Sequence, residues 1–398
     1  MLIGIVGKPN VGKTTFFKAA TLMDVEAANY PFTTIDPNKG IGFVRNKCID
    51  SFFNVQCNPR HGFCKNHTRY IPIDIIDVAG LVPGANEGRG LGNKFLTDLY
   101  QADALIQVID LSGSTDEEGR SVKPNSYNPA NEIHFLLEEI ETWLFGIYKK
   151  NFLKVAKEQK TKKIKTTTAL LSFMTSMKVN EEQLDIVLKE LNLKETYIED
   201  WNDETLKLFT KKVRKISKPI IIAANKIDLP NSKENLDKLK KEFPNLIIIG
   251  CSAESELALK SADKSKIIDY LPGSNDFKII REDITEKQKK ALDFIKVNIQ
   301  DKFGSTGVQE ILDYIVFKTL KYFCVYPGGT KKLEDKDGNI LPDCFLMPPN
   351  SKAIDFAFKL HTDFGNNFIK AIDVKTKMLL GKNHLLKNND VIEIVSGK

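Results

Sequence analysis

Two textures of hydrophobic and polar positions alternate along the chain. Short apolar runs of strand length occur at Met1–Val6, Ile71–Ile76, Ala104–Asp110, Lys218–Ala224 and Leu246–Gly250. Continuous apolar runs bounded by Gly, Asn or Asp read as strands buried on both faces, as in a parallel sheet. From Asn131 to about Lys215 the apolar residues instead recur at three and four: Ile133, Leu136, Leu137, Ile140, Leu144, Ile147, Tyr148. That period predicts an insert of several helices, one of them capped at Asn180-Glu181-Glu182. Residues Thr285 to Tyr322 read as two helices around Gly304-Ser305-Thr306-Gly307. Strands are then predicted at Tyr322–Tyr326, Cys344–Met347, Phe368–Val374 and Val391–Val395, with a turn at Asp335–Asn339 and a helix near Ser351–His361. Four strands around one helix point to a β-grasp module. The fold class expected is α/β, a doubly wound, mostly parallel sheet with a helical insertion and a C-terminal β-grasp domain. The expected division is 1–130 with 216–320, 131–215, and 321–398.

Composition narrows the class without naming a function. At 398 residues, 42% apolar and 28% charged, the chain is a globular protein of two or three domains. A net charge of +6 favours an anionic partner. Six scattered cysteines read as reduced thiols of a cytoplasmic protein, and no run reaches the roughly 20 apolar residues of a membrane span. No signal peptide is expected, because the first residues already form a strand.

The chemistry begins after that strand. Gly7-Lys8-Pro9-Asn10-Val11-Gly12-Lys13-Thr14-Thr15 is a phosphate-binding loop, G-x-x-x-x-G-K-[ST], between a strand and a helix. Gly7 and Gly12 let backbone N–H groups face an anion at a helix N-terminus. Lys13 reaches the β- and γ-phosphates, and the Thr14 hydroxyl is placed to ligate Mg²⁺. In the loop Asn29-Tyr30-Pro31-Phe32-Thr33-Thr34, Thr34 rather than Thr33 is taken to complete the metal shell. The strand ending at Asp77-Val78-Ala79-Gly80 places Asp77 to hold Mg²⁺ through water and the Gly80 N–H to bond the γ-phosphate. The glycine-rich stretch that follows reads as a switch. Asn225-Lys226-Ile227-Asp228 closes a further strand. Asp228 can accept hydrogen bonds from guanine N1–H and the 2-amino group, which adenine does not offer. Asn225 ties this loop to the phosphate loop, Lys226 lies over the ring, and the backbone of Ser252-Ala253-Glu254 reaches the guanine carbonyl.

Two stretches carry open readings. Cys57, His61, Cys64 and His67 supply two thiols and two imidazoles within eleven residues, in kind enough for structural zinc. Their spacing matches no common zinc arrangement, and Pro59 and Gly62 mark a hairpin tip, which is the expectation. Lys149 to Lys165 holds eight lysines and one acid, Glu158. That stripe is either an RNA phosphate contact or a solvated helix face, and no interleaved aromatics support base stacking.

Together these motifs resemble the Obg/YchF-type P-loop GTPases of the archaeal sort over nearly the whole chain, with a tail similar to a TGS domain. The carrying residues are Gly7–Thr14, Asn29–Thr34, Asp77–Gly84, Asn225–Asp228 and Ser252–Glu254. The resemblance implies a translation-associated GTP-binding protein that hydrolyses GTP slowly as a molecular switch and contacts the ribosome or RNA, with no membrane or DNA partner. Two departures stand out. The family's ATP-preferring members end the base-reading tetrad in glutamate, whereas this chain has Asp228. Leu81 occupies the place where Ras-like proteins carry the water-orienting glutamine, so the resemblance implies either slow intrinsic hydrolysis or catalysis completed by another group, such as K⁺ near Asn10 or a partner. The alternatives are a YchF-like ATPase, a nucleotide-stabilised RNA or ribosome scaffold with negligible turnover, and a metabolic phosphotransferase, for which no acceptor motif is present.

Overall fold

The computed structural model describes residues 1–21, 38–78, 99 and 101–397. In chain order the first elements are β1 (Leu2–Val6), α1 (Lys13–Thr21), β2 (Lys39–Lys47), β3 (Phe63–Lys65), β4 (Thr68–Asp77) and β5 (Ala104–Asp110). A helical stretch follows: α2 (Ala130–Lys162), α3 (Thr166–Met174), α4 (Glu181–Glu190) and α5 (Asp203–Ser217). Next come β6 (Ile220–Asn225), α6 (Ser232–Glu242), β7 (Ile247–Gly250), α7 (Ala253–Lys264), β8 (Ile268–Tyr270), β9 (Phe277–Ile279), α8 (Glu286–Ile295) and α9 (Val308–Tyr314). The tail holds β10 (Phe323–Pro327), β11 (Phe345–Met347), α10 (Ala353–Leu360), α11 (Thr362–Asn366), β12 (Phe368–Asp373), β13 (Leu379–Leu380) and β14 (Asp390–Ser396). No helix among the described residues is long and apolar enough to cross a membrane.

The described residues fall into two compact units. The larger comprises 1–21, 38–40 and the described part of 74–311. Its strands run parallel in the order β4-β1-β5-β6-β7, with Leu2–Ile5 beside Asp74–Asp77 and Ile3–Val6 beside Ala104–Gln107. The order reverses beside β1, so the carboxyl ends of β1, β4, β6 and β7 open on one crevice. β5 and β6 are buried at every position, as continuous apolar runs require of central strands.

The helical stretch α2–α5 is not a separate body. One apolar core runs from Leu105, Ile109 and Ile222 through Ile133, Leu136, Ile140 and Leu144 to Tyr148, Trp201 and Phe209. The 131–215 insertion expected as a domain therefore shares its core with the sheet. α4 starts where expected, with a full capping box between Asn180 and Gln183. The β8–β9 hairpin escapes the sequence reading, because three-residue strands are too short for a period to show.

The smaller unit comprises, of the described residues, 41–73 and 312–397. Its tail is a five-stranded sheet, β11-β10-β14-β12-β13, with β10 and β14 parallel, packed on α10 through Val325, Met347, Ala353, Phe356, Ala371 and Ile392. The fifth strand, β13, has only two residues. The tail expected at 321–398 thus has one more strand than the pattern gives, and it has a companion. Residues 41–73, expected with the nucleotide-binding domain, pack against it. Arg45 bonds Asp313 through its own N–H and Nε, each at 2.7 Å, and the buried Arg69 donates to the carbonyls of Leu341 (2.9 Å) and Pro342 (2.7 Å). The reason is chemical: a buried guanidinium needs acceptors, and backbone carbonyls 272 and 273 residues away serve Nη1 and Nη2, while the buried Nε makes no hydrogen bond among the described residues.

Candidate nucleotide-binding site

The loop after β1 is held by close backbone approaches that only glycine permits. A Cβ on Gly7 would sit 2.6 Å from the Val108 carbonyl oxygen. Gly12 has φ +92°, and a Cβ there would lie 2.3 Å from Asn225 Nδ2. α1 begins at once, with Phe16 N–H donating to the Gly12 carbonyl at 2.8 Å, so the helix N-terminus faces the loop.

Within the loop the side chains divide. Lys13 forms an ion pair with Asp77 at the end of β4, and both are largely shielded from solvent. The Thr14 side is exposed, with its hydroxyl on the first turn of α1. Lys8 turns the other way: Nζ donates to the carbonyls of Thr115 (2.9 Å) and Asp116 (2.8 Å), lies 3.0 Å from Glu132 Oε1 and sits 4.0 Å over the Tyr127 ring. Only the Lys8 backbone is thus left for an anion, and its side chain is an anchor. Burial pushes the Glu132 carboxyl up to about 8, with Lys8 opposing. Asn10 (φ 64°) adds a second anchor, Nδ2 donating to the Gly119 carbonyl at 2.8 Å. The 115–119 support under the loop is invisible in the sequence, where it reads as a polar connection.

Asn225 joins three loops. Its Nδ2 donates to the Val11 carbonyl at 2.9 Å, and its Oδ1 accepts from the Ala253 N–H at 3.0 Å, with Cys251 Sγ at 3.8 Å. The side chain is buried, so both bonds are made away from water. Lys226, in the left-handed region at φ 66°, pairs with Asp110 Oδ2 at 2.9 Å. Burial raises the Asp110 carboxyl, and bonds from Ser112 and Lys226 outweigh it, leaving the group below its usual range. Asp228 is half-buried, and burial together with the Asp228 charge pushes the Cys251 thiol up. Ser252 caps α7, its Oγ accepting from the Ser255 N–H at 3.3 Å. Glu254 is exposed.

A turn that the sequence reading left without a role braces this edge. Ser252 N–H donates to the Thr306 carbonyl at 2.9 Å, and a Cβ on Gly307 (φ +82°) would lie 2.2 Å from the Gly250 oxygen. The buried Glu256 receives Thr306 Oγ1 and, at 2.8 Å, Tyr270 Oη, while Lys260 Nζ reaches back to the Ala19 carbonyl at 2.6 Å. α1 and α7 are thereby pinned to each other. Gly7–Thr15, Asp77, Asn225–Asp228 and Ser252–Ala253 are thus the sequence-expected residues that the fold gathers. Thr34 and Gly80 lie outside the described residues. Thr14 and Asp77 offer the hard oxygen donors that suit Mg²⁺. In the lysine stripe, Lys149 pairs with Asp203, Lys160 Nζ lies 2.8 Å from Glu199 and Lys162 Nζ 2.6 Å from Glu158, so part of it is a neutralised helix face.

Comparison with known proteins agrees with this geometry. Residues 2–153 match the family described as 50S ribosome-binding GTPase, 223–329 the G4 motif-containing domain of the Obg-like GTPase YGR210-like family, and 333–396 the TGS domain. The chain is 47% identical to the GTP-binding protein MJ1332 of Methanocaldococcus jannaschii, over 99% of both chains. It is 27% identical to the ribosome-binding ATPase YchF of Mycoplasma genitalium, over 98% of this chain and 97% of that one. Among solved structures it resembles the GTP binding protein from Pyrococcus horikoshii, with a TM-score of 0.79, 36% identity and full coverage of both chains. With its phosphate loop, its Asn225–Asp228 tetrad and its TGS tail in one chain, the protein belongs to the YchF/Obg-like family of GTP-binding proteins.

Proposed function

We propose that the chain binds GTP with Mg²⁺ and hydrolyses it to GDP and phosphate as a switch acting on the ribosome. The observation that carries this reading is the Asn225 bridge, which fixes the loop bearing Asp228 against both the phosphate loop and the Ser252-Ala253 backbone. A base-reading carboxylate held at a set distance from the phosphate site discriminates between bases, because adenine leaves its acceptors unpaired. The ATPase in the printed name of the YchF relative is that protein's; Asp228 in this chain favours guanine.

In the resting site Lys13 lies on Asp77. On binding, Lys13 exchanges that carboxylate for the β- and γ-phosphates, and Asp77 turns to the water shell of the metal. Mg²⁺, held by Thr14 and Thr34, supplies charge neutralisation on the phosphate oxygens. The loop N–H groups donate to the same oxygens, the helix dipole of α1 favours the anion, and the Gly80 N–H reports the γ-phosphate. Leu81 offers no hydrogen bond to water, so orientation of the water would fall to another group, such as K⁺ held beside Asn10 or the ribosome. Loss of the γ-phosphate releases the segment after Gly80, and the helical insert and TGS tail translate that into altered affinity for the ribosome in the cytoplasm.

Single-turnover hydrolysis of GTP with and without ribosomes tests this. The expected result is phosphate release that ribosomes accelerate and that Lys13→Ala abolishes. Binding of ribosomes with no phosphate release in either arm would favour a nucleotide-stabilised scaffold instead.

A further inference from the structure

Outside the nucleotide site, the smaller unit gathers Cys48, Asp50, Cys57 and Cys64, whose ligand atoms all lie within 4.8 Å of one another. Cys48 directly follows β2, Asp50 lies on the helical turn after it, Cys57 comes from the next loop, and Cys64 lies on β3. None of the six cysteines is in a disulfide. Cys48 Sγ is 3.6 Å from Cys57 Sγ, and Cys64 Sγ is 3.6 Å from Asp50 Oδ2.

These spacings have a geometric meaning. A tetrahedral zinc with Zn–S of about 2.3 Å and Zn–O of about 2.0 Å sets S···S edges near ~3.8 Å and S···O edges near ~3.5 Å. The two edges, at 3.6 Å each, lie within about 0.2 Å of those values. The carboxylate is fully buried, its Oδ2 accepting from the Cys57 N–H at 3.2 Å and facing the three thiols, a donor set in kind enough for a metal. The surroundings supply what an outer shell must. His67 Nδ1 stands 2.8 Å from Asp50 Oδ1, fixing the carboxylate, and Arg69 Nη1 lies 3.5 Å from Cys57 Sγ, offsetting thiolate charge. A hairpin does form in this stretch, but not with its tip at Pro59 and Gly62 as expected: β3 and β4 pair antiparallel through an Asn66-His67 turn with both residues at positive φ. The ligand set differs from the four residues the spacing brings to mind. Cys57 and Cys64 are in it, His67 stands one hydrogen bond behind, and His61 is not among the gathered ligands.

We propose that Cys48, Cys57, Cys64 and Asp50 form a structural zinc site. Three soft thiolates and one carboxylate in a closed tetrahedron suit Zn²⁺ rather than Mg²⁺ or Ca²⁺, and leave no open position for catalysis. Its work is to staple the segment that meets the tail. Between the ligands and just after them lie Asn58 and Arg60, whose N–H groups donate to the carbonyls of Ile340 (2.8 Å) and Pro342 (2.9 Å), and Arg69, which donates to Leu341 and Pro342. Such a small, loop-rich segment has little core of its own, and a metal supplies the missing cross-links.

The test uses the untagged full-length chain, grown with zinc and freed of loosely bound metal. Elemental analysis is expected to find about one zinc per chain, and Co²⁺ replacement to give thiolate-to-cobalt charge-transfer bands with the visible bands of a tetrahedral ion. Cys64→Ser, at the half-buried ligand, should lose the zinc, whereas Cys324→Ser, outside the set, keeps it. His67→Ala should retain the metal with roughly 10–100-fold weaker affinity. Because a serine variant can misfold, the cobalt spectrum of the unaltered chain is the deciding readout. Zinc-free protein with no charge-transfer bands overturns the proposal, as does a disulfide among these three thiols or zinc that survives Cys64→Ser in full.

Discussion

Replacing Asn225 by Ala removes one side chain and leaves two buried partners behind. Val11 loses the donor at 2.9 Å to its carbonyl, and the Ala253 N–H loses the acceptor at 3.0 Å. An unsatisfied buried backbone group costs about 1–3 kcal/mol, so the pair costs about 2–6 kcal/mol unless water enters. Taking about 3 kcal/mol, and about 2–4 °C of melting temperature per kcal/mol for a unit of this size, the nucleotide-free melt should fall by roughly 6–12 °C. Thermal unfolding followed by circular dichroism reads this directly. A companion variant, Asp228→Ala, separates structure from recognition, because the half-buried Asp228 sits outside the bridge. It should melt close to the unaltered chain and still lose guanine-nucleotide affinity. If Asn225→Ala melts within about 1 °C of the unaltered protein, the bridge is not what holds the three loops together, and the reasoning fails.

Further outcomes follow from the same contacts. Gly12→Ala places a side chain at φ +92° and 2.3 Å from Asn225 Nδ2, so it should destabilise the fold by about 1–2 kcal/mol, read in a urea melt, and abolish nucleotide binding measured by fluorescence titration. Arg69→Met removes the guanidinium donor to the Leu341 carbonyl and leaves Pro342 with the Arg60 N–H alone, and hydrogen exchange should rise at 335–343 while the amides of β5 and β6 stay protected. Lys218 is pushed down to about 8 by burial first and by the nearby Lys178 second. A lysine with a lowered folded pKa binds fewer protons folded than unfolded, so its contribution makes stability rise with pH between about 8 and its ordinary value of 10.5. Urea titrations at about pH 7.5 and about pH 9.5 should show that rise in the unaltered chain and a smaller one in Lys218→Met.

How far the sequence reaches depends on the length scale of each signal. The strands β1, β5 and β6 are legible because buried parallel strands are apolar without interruption, and the phosphate loop because its glycines answer to local geometry at Gly7 and Gly12. Asn225 was legible as a tie between loops for the same reason: its place after a strand dictates its reach. What escaped was set by long-range pairing. The inward turn of Lys8 depends on Glu132 and the 115–116 carbonyls, more than one hundred residues away in sequence. The partnership of 41–73 with the tail rests on Arg45, Arg60 and Arg69, which look like ordinary surface charges until their partners are known. Cys48 and Asp50 do not stand out beside Cys57 and Cys64 in the sequence, because Cys48 lies nine residues upstream of Cys57.

The central claim, that this site reads guanine through Asp228, is tested most directly by equilibrium competition of GTP against ATP with Mg²⁺ on the purified chain. The account predicts a GTP preference of at least about tenfold, equivalent to about 1.4 kcal/mol, which Asp228→Asn removes. Equal binding, or a preference for ATP, would contradict it.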